Sequence, residues 1–482
     1  MHSANLTVMS DVLAAMKGNA NVCIMYARMM DKYVQDKVFG TFVLFEMQKC
    51  HLASWAYRWY DKYKYCNEIA YKEDSAMSKY AHRLSSCTLT LKDAQGNPMP
   101  GRKVEVDLSR HEFLFGSGCF WLQELLNPAT PPHLKEIFQK YWDNWSPVFN
   151  YATLPFYQGR YEPVEGQTKE EVTLRAAKHL KENGYTVKGH PLCWHTASAL
   201  WLLEKDNKAV LENQLARIRR EIGAFHDYIT LWDVINEVVI MPIFEKQENA
   251  ITRLCQEMGR VPLVKAVFDM ARQMDPNATL LLNDFNTSES YRQLIEDCLA
   301  ADVPIDVIGI QSHQHQGFWG MEKLLEVLER FEKFGKPMHF TENTFVSGDL
   351  MPAHIVDLND WQVPEWPSTP EGEDRQACDL LTMLDTLFAH PQVEAFTTWD
   401  FEDGAWLGAP SGLVHKDGTP KPSYEALKQR VLKDWHTSLT LMTDENGQCT
   451  VEGFRGLYAL QCDGKKGQFT LNKTDKELTV QL

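Results

Sequence analysis

The spacing of apolar and polar side chains divides the 482-residue chain into four stretches. Residues 1–85 contain no Pro and only Gly18 and Gly40, and the run DKYVQDKVFGTFVLFEMQKCHLASWAYRWYDKYKY places apolar residues three and four apart. That spacing predicts a helical segment of unknown role, divided near Gly40, with Trp55, Tyr57, Trp59 and Tyr60 packed mostly against a neighbour. Over 86–114 the period falls to two, in CTLTLKD, the turn AQGNPMPG and RKVEVDLSRHEFLFG. The same texture returns over 436–482 in TSLTLMTDENGQCTVEGF, GLYALQCDGKKGQFTL and KELTVQL. Two or three strands alone cannot hide an apolar face, so the two distant segments are expected to share one small β unit. Between them, short apolar runs at 185–192, 230–235, 278–283, 307–311, 338–341 and 393–398 alternate with helical stretches such as TKEEVTLRAAKHLKEN and MEKLLEVLERFEKF. This repetition predicts an α/β fold in which residues 115–435 form a (β/α)8 TIM barrel.

Composition narrows the chemistry. Lys and Arg number 49 against 65 Asp and Glu, a net charge of −16 that opposes attraction to nucleic acid or anionic lipid. Fourteen Trp and seventeen Tyr supply flat apolar faces edged by polar groups, which suit neutral sugars. The 11 Cys are odd in number, scattered and without CxxC, so buried free thiols are expected rather than a disulfide scaffold or zinc site. No stretch approaches the roughly 20 apolar residues of a membrane span, and MHSANLTVMSDVLAAM does not read as an export signal. No Gly-rich phosphate loop follows a strand, which disfavours nucleotide binding.

Chemistry is expected at the strand ends, where a barrel places its active site. The strand in ITLWDVINEVV ends in Asn236 and Glu237, and that in KPMHFTENTF ends at Glu342, 105 residues later. That separation suffices for several βα units, so the two carboxyl groups can face each other across the mouth. Acetal hydrolysis needs a proton for the departing oxygen and negative charge beside the developing oxocarbenium carbon, and two carboxyl groups with separated pKa values meet both demands. Other strand ends carry His190, Trp194 and His195; Asn283, Asp284 and Asn286; Gln311, His313 and His315; and Trp399. A metal centre built on His190, His195, His313 and His315 is the chemical competitor, but HExxH is missing and amides are as numerous as imidazoles. No metal is therefore expected, and His195 and His315 read most readily as supporting or core residues, with His226 and His390 structural.

GHPLCWH, WDVINE, NDFN, IDVIGIQSH, the strand ending FTE, and TTWDFEDGAW followed by GLVHKDGTPKPSYEAL resemble, in order, the barrel motifs of the family 10 glycoside hydrolases. The likeness spans roughly 115–432, and the family consists mostly of retaining endo-β-1,4-xylanases. It implies Glu237 as acid/base and Glu342 as nucleophile, with His190, Trp194, Asn236, Gln311, His313, Trp399 and Trp406 around the attacked sugar. Asn236 is implied to bind the 2-hydroxyl, and His313 with Gln311 to keep the nucleophile ionised. It further implies xylan or xylo-oligosaccharides as substrate, no cofactor, a monomer and a secreted or periplasmic location.

Three departures from the family pattern stand out. The Asn-Glu-Met-Lys run after the first barrel strand, which contacts donor-side sugars, is replaced by Phe156, Tyr157, Gln158 and Gly159, with Asn150 retained. Ala197 stands where a Gln is usual, and the common TELD reads Thr341, Glu342, Asn343 and Thr344. Asn150, Phe156, Tyr157 and Arg160 are accordingly expected to contact substrate, with stacking and a charged contact replacing hydrogen bonds, as would suit a glucuronate-decorated or unusual xylan. A hydrolase of short or decorated oligosaccharides and a non-catalytic glycan-binding protein are the competing readings.

Overall fold

The computed structural model describes residues 79–482, so the helical segment expected over 1–78 lies outside the described residues. Tyr80–Leu482 form one compact unit. In chain order its strands are β1 (Leu84–Lys92), β2 (Lys103–His111), β3 (Leu114–Gly118), β4 (Tyr151–Pro155), β5 (Thr186–His190), β6 (Leu231–Asn236), β7 (Thr279–Asp284) and β8 (Val307–Ile310). They continue with β9 (His313–Gln314), β10 (Met338–Phe345), β11 (Val393–Thr398), β12 (Ser438–Met442), β13 (Gln448–Phe454), β14 (Gly456–Cys462), β15 (Lys465–Leu471) and β16 (Glu477–Gln481).

Strands β3, β4, β5, β6, β7, β8, β10 and β11 pair in parallel, and β11 bonds both β10 and β3, so the sheet closes into a (β/α)8 barrel. All six residues of β6 and all eight of β10 are buried, as expected of strands covered on both faces. Leu114, Tyr151, Leu231, Leu281, Val307 and Ala395 form an apolar layer of their own. Close approach around Tyr151 also explains Gly116: a Cβ there would lie 2.6 Å from the Tyr151 ring and 2.8 Å from Thr397 Oγ1. The surrounding helices bury apolar stripes, as in Met321–Glu332, where Leu324, Val327, Leu328 and Phe331 are buried at the three and four residue spacing of one helix face.

The flanking β segments interleave. β1 pairs antiparallel with β13 and parallel with β16, while β2 lies between β12 and β14. β1 starts at Leu84, inside the stretch read from sequence as helix, because Leu84 and Ser85 already pair with Phe454 and Gly453. This β unit is tied to the barrel by Arg83, whose guanidinium donates to the carbonyls of Phe388 at 3.0 Å, His390 at 2.8 Å and Val393 at 2.5 Å. Stacking of Phe388 on Trp435, with centroids 3.9 Å apart, continues the same junction.

Candidate active site

Glu237 follows β6 directly, with its backbone in the left-handed region at φ 58° and its N–H donating to Asn283 O at 2.9 Å. Its carboxyl accepts from Trp194 Nε1 at 2.9 Å, Gln311 Nε2 at 3.1 Å and Asn236 Nδ2 at 3.3 Å. Glu342 lies within β10 and accepts from Asn283 Nδ2 at 2.8 Å and His313 Nε2 at 3.1 Å. One amide network reaches both groups. Asn283 Nδ2 also donates to Asn236 Oδ1 at 2.9 Å, Gln311 Nε2 to the same oxygen at 3.1 Å, and Thr341 Oγ1 fixes Asn283 by donating to its Oδ1 at 2.7 Å.

The two carboxyl groups are pushed in opposite directions. Burial raises Glu237 to about 8, opposed by the Gln311 and Trp194 hydrogen bonds and reinforced by the charges of Glu342 and Asp284. Burial acts upward on Glu342 as well, but the charge of His190, the hydrogen bond and charge of His313, and Lys188 outweigh it and hold the group below the ordinary carboxylate range. Beneath it, Asp233 is fully buried on β6 and accepts from His190 Nδ1 at 2.6 Å, with Lys188 Nζ 2.8 Å from the same oxygen. Burial alone would raise Asp233; Lys188 and His190 reverse the direction.

Aromatic rings wall this mouth. Trp399 lies 5.1 Å from the His190 ring, 6.1 Å from His313 and 5.5 Å from Phe120, measured between centroids. Trp406 packs at 4.3 Å from His313. Tyr157 sits 5.6 Å from Trp194, 5.7 Å from His190 and 6.1 Å from Phe120. The structure thus brings together Glu237, Glu342, His190, Trp194, Asn236, Gln311, His313, Trp399, Trp406 and Tyr157.

Two residues expected to touch substrate do not reach this mouth. Asn150 precedes β4, at the opposite end of the strand, where its side chain accepts from Phe115 N at 2.8 Å and donates to His111 O and Phe113 O at 3.0 and 2.9 Å. Phe156 is fully buried, 5.0 Å from Phe225 and from Trp232, because alternation along β4 turns it toward the helices. Arg160 is exposed, its guanidinium 5.7 Å from the Tyr157 ring centroid. His195 packs at 4.5 Å from Phe244, and His315 at 5.1 Å from Trp406; burial holds each near 3, so both rings are neutral supports behind site tryptophans. Among the described residues no group of three or more His, Cys, Asp and Glu is placed to hold a metal ion.

Asn283, one of the strand-end polar groups, proves to be the amide that joins the two carboxyl groups, whereas Lys188, Asp233 and Phe120 are site residues that the sequence reading does not name. Asp233 carried the readable signal, a carboxylate in the middle of an apolar strand, which must find buried partners. Phe120 carried none, since its place depends on how the loop after β3 meets that after β4.

The model of glycosyl hydrolase family 10 matches residues 159–430. An endo-1,4-beta-xylanase B of Paenibacillus barcinonensis is 30% identical over 203 residues, covering 38% of this chain and 59% of that protein. An endo-1,4-beta-xylanase/feruloyl esterase of Xylanibacter ruminicola is 28% identical over 222 residues, 40% of this chain and 30% of that protein. The anti-sigma-I factor RsgI6 of Acetivibrio thermocellus is 24% identical over 402 residues, 81% of this chain and 46% of that protein. The chain thus spans between 30% and 59% of the length of these relatives. Among solved structures, a GH10 protein of Paenibacillus barcinonensis superposes with a TM-score of 0.53 at 21% identity, covering 66% of this chain and 95% of that one. Xylanase 10B of Thermotoga petrophila, in complex with xylobiose, gives 0.54 at 20% identity, covering 67% and 94%. With its eight-stranded barrel and the family match over more than half its length, the chain belongs to glycosyl hydrolase family 10.

Proposed function

We propose that this chain is a retaining endo-β-1,4-xylanase in which Glu342 is the nucleophile and Glu237 the acid/base. The observation that carries the reading is the opposite displacement of two carboxyl groups joined by one amide network, Glu237 held protonated to about 8 and Glu342 held ionised. In the first step Glu342 attacks the anomeric carbon while Glu237 gives its proton to the leaving oxygen; in the second, Glu237 takes a proton from water, which displaces Glu342 from the sugar. Retention needs the carboxyl groups about 5 to 5.5 Å apart, too close for water to enter between sugar and nucleophile. Two relatives named as endo-xylanases support xylan as the substrate.

Tyr157, packed on Trp194 and His190, favours a second reading within the same chemistry, a hydrolase of short or decorated xylo-oligosaccharides whose donor side is narrowed. A non-catalytic glycan-binding role leaves the paired carboxyl groups, Glu237 and Glu342, without a task. The test is turnover of xylan and xylo-oligosaccharides, with product configuration followed by NMR, on wild type, Glu342→Gln and Glu237→Ala. Expected are retained configuration, no turnover for Glu342→Gln, and azide rescue of Glu237→Ala on activated aryl xylosides. Inverted product, or a wild type that binds xylan without cleaving it, overturns the reading.

A further inference from the structure

The backbone that carries Glu237 is held in a conformation its sequence does not favour. A non-glycine residue at φ 58° persists only where its surroundings over-determine it. The segment after it is gripped from two sides. Val239 N–H donates to Asp284 Oδ2 at 3.0 Å, while Val239 O accepts from Arg260 Nη2 at 2.7 Å and Val238 O from Arg260 Nε at 3.2 Å. Asp284 spends its other oxygen on Asn286 N–H at 2.9 Å, so a single carboxylate joins the loops after β6 and β7. It is fully buried, and among the described residues no cation pairs with it. A buried carboxylate satisfied only by backbone N–H groups is an uncommon arrangement, since buried charges are normally paired.

We propose that Asp284 and Arg260 are positioning residues that clamp the Val239 peptide by its N–H and its carbonyl, thereby holding the Glu237 backbone left-handed and aiming its carboxyl at the leaving oxygen. The inference rests on the reading of Glu237 as acid/base. Asp284 has an electrostatic role as well: burial raises its own carboxyl to about 7, so on the alkaline side of that value it is ionised and its charge favours the protonated form of Glu237. The other titratable groups facing Glu237 are Glu342 from β10 and Tyr157 from the loop after β4; those facing Asp284 are Glu237 and Tyr291.

Asp284→Asn and Arg260→Gln test the clamp, with xylotetraose as the poor leaving group and a dinitrophenyl xylobioside as the activated one. Misplacement of a catalytic group by about 1 Å costs up to roughly 100-fold, and a misaimed acid harms only the substrate that needs its proton. Both variants are therefore expected to lower kcat/KM on xylotetraose at least about 10-fold more than on the aryl xylobioside. In Asp284→Asn the alkaline limb of the pH profile should also move to lower pH, because Glu237 loses a neighbouring negative charge; loss of fold stability alone would move neither quantity. If Asp284→Asn does not fold, the leaving-group ratio of Arg260→Gln decides. Wild-type ratios in both variants, or in Arg260→Gln alone where it is the only folded one, overturn the clamp. Azide rescue of Glu237→Ala separates the two claims: where rescue fails, the acid/base assignment falls; where it succeeds and the ratios are unchanged, only the clamp falls.

Discussion

The carboxyl group that the proposed mechanism needs ionised and the one it needs protonated share one buried mouth, and their immediate neighbours push them in opposite directions. Glu342 receives an N–H from His313 and the field of His190 and Lys188, whereas Glu237 receives only neutral donors. His313 is itself oriented by a hydroxyl: Thr344 Oγ1 lies 3.4 Å from its Nδ1, at a position where the common family motif carries a carboxylate. This leaves His313 as the adjustable support of Glu342, the proposed nucleophile. Removing it in His313→Ala takes away a hydrogen bond and a charge that both lower the Glu342 pKa, so Glu342 takes up its proton at higher pH than in wild type. The acid limb of kcat/KM against pH should accordingly shift upward while the alkaline limb, set by Glu237, stays near about 8. An unchanged acid limb, measured on an activated aryl xyloside, would remove His313 from the ionisation argument. At this scale the sequence was legible where motifs were strong, as in WDVINE and FTEN, and misleading at Asn150 and Phe156. Phe156 opens the rebuilt motif and Asn150 precedes it, yet the period of two on β4 already sends Phe156 outward, and Asn150 precedes the strand whose far end bears the site.

Among the elements, the short helical turn Gln158–Tyr161 after β4 stands where the family pattern carries its donor-side run. It is latched rather than loose. Gln158 donates to Asn213 Oδ1 at 3.1 Å and accepts from Gln214 Nε2 at 2.7 Å, and Gly159 N donates to Ala197 O at 2.8 Å. A Cβ at Gly159 would meet Ser198 O at 2.8 Å, so the close approach of the two loops requires glycine. This latch fixes the Tyr157 ring in the mouth and leaves Arg160 above it. If the ring stacks on a donor sugar, Tyr157→Ala should cost about 1 to 3 kcal/mol of productive binding, by analogy with stacking on other flat rings, and shift the cleavage pattern of long chains. Phe156→Ala should instead cost about 3 to 5 kcal/mol of fold stability through the cavity it leaves. Product profiles and melting curves of the two variants separate these outcomes, and Tyr157→Ala with an unchanged product profile would make the segment scaffold. Two barrel strands, β3 and β4, lack a clear apolar run in the sequence, for a related reason. The glycines of LFGSG are demanded by Tyr151, Thr397 and the Trp399 carbonyl pressing against them, so packing inside the barrel erased the hydrophobic signal on β3.

For the whole described unit, the question is what the β segments on either side of the barrel do for one another. β2 contributes Val104, Val106 and Leu108 to the core, and both its hydrogen-bonding edges are filled by strands from beyond residue 436, β12 and β14. β1 is in the same position between β13 and β16, with Leu89 and Leu91 fully buried. The long-range alternation in the sequence foretold the need for such a partner but not its register, which depends on pairings more than three hundred residues apart, such as Thr90 with Gln448. Removing 436–482 strips the partners from both strands and uncovers at least these five apolar side chains, each worth about 1.5 to 3 kcal/mol when buried. Against a typical total stability of about 5 to 15 kcal/mol, that loss is decisive, and the truncated chain is expected to be insoluble or to melt far lower. A milder probe keeps the chain intact: Leu89→Ala opens a cavity in the β unit and should cost about 2 to 5 kcal/mol. Because Leu89 lies in the β unit and not among the residues around Glu237 and Glu342, the melting temperature should fall while kcat/KM at low temperature stays at the wild-type value. A truncated protein that melts like the full chain would show that the barrel is self-sufficient and that the flanking strands serve another purpose. A Leu89→Ala variant that loses activity without losing stability would instead couple the β unit to the site.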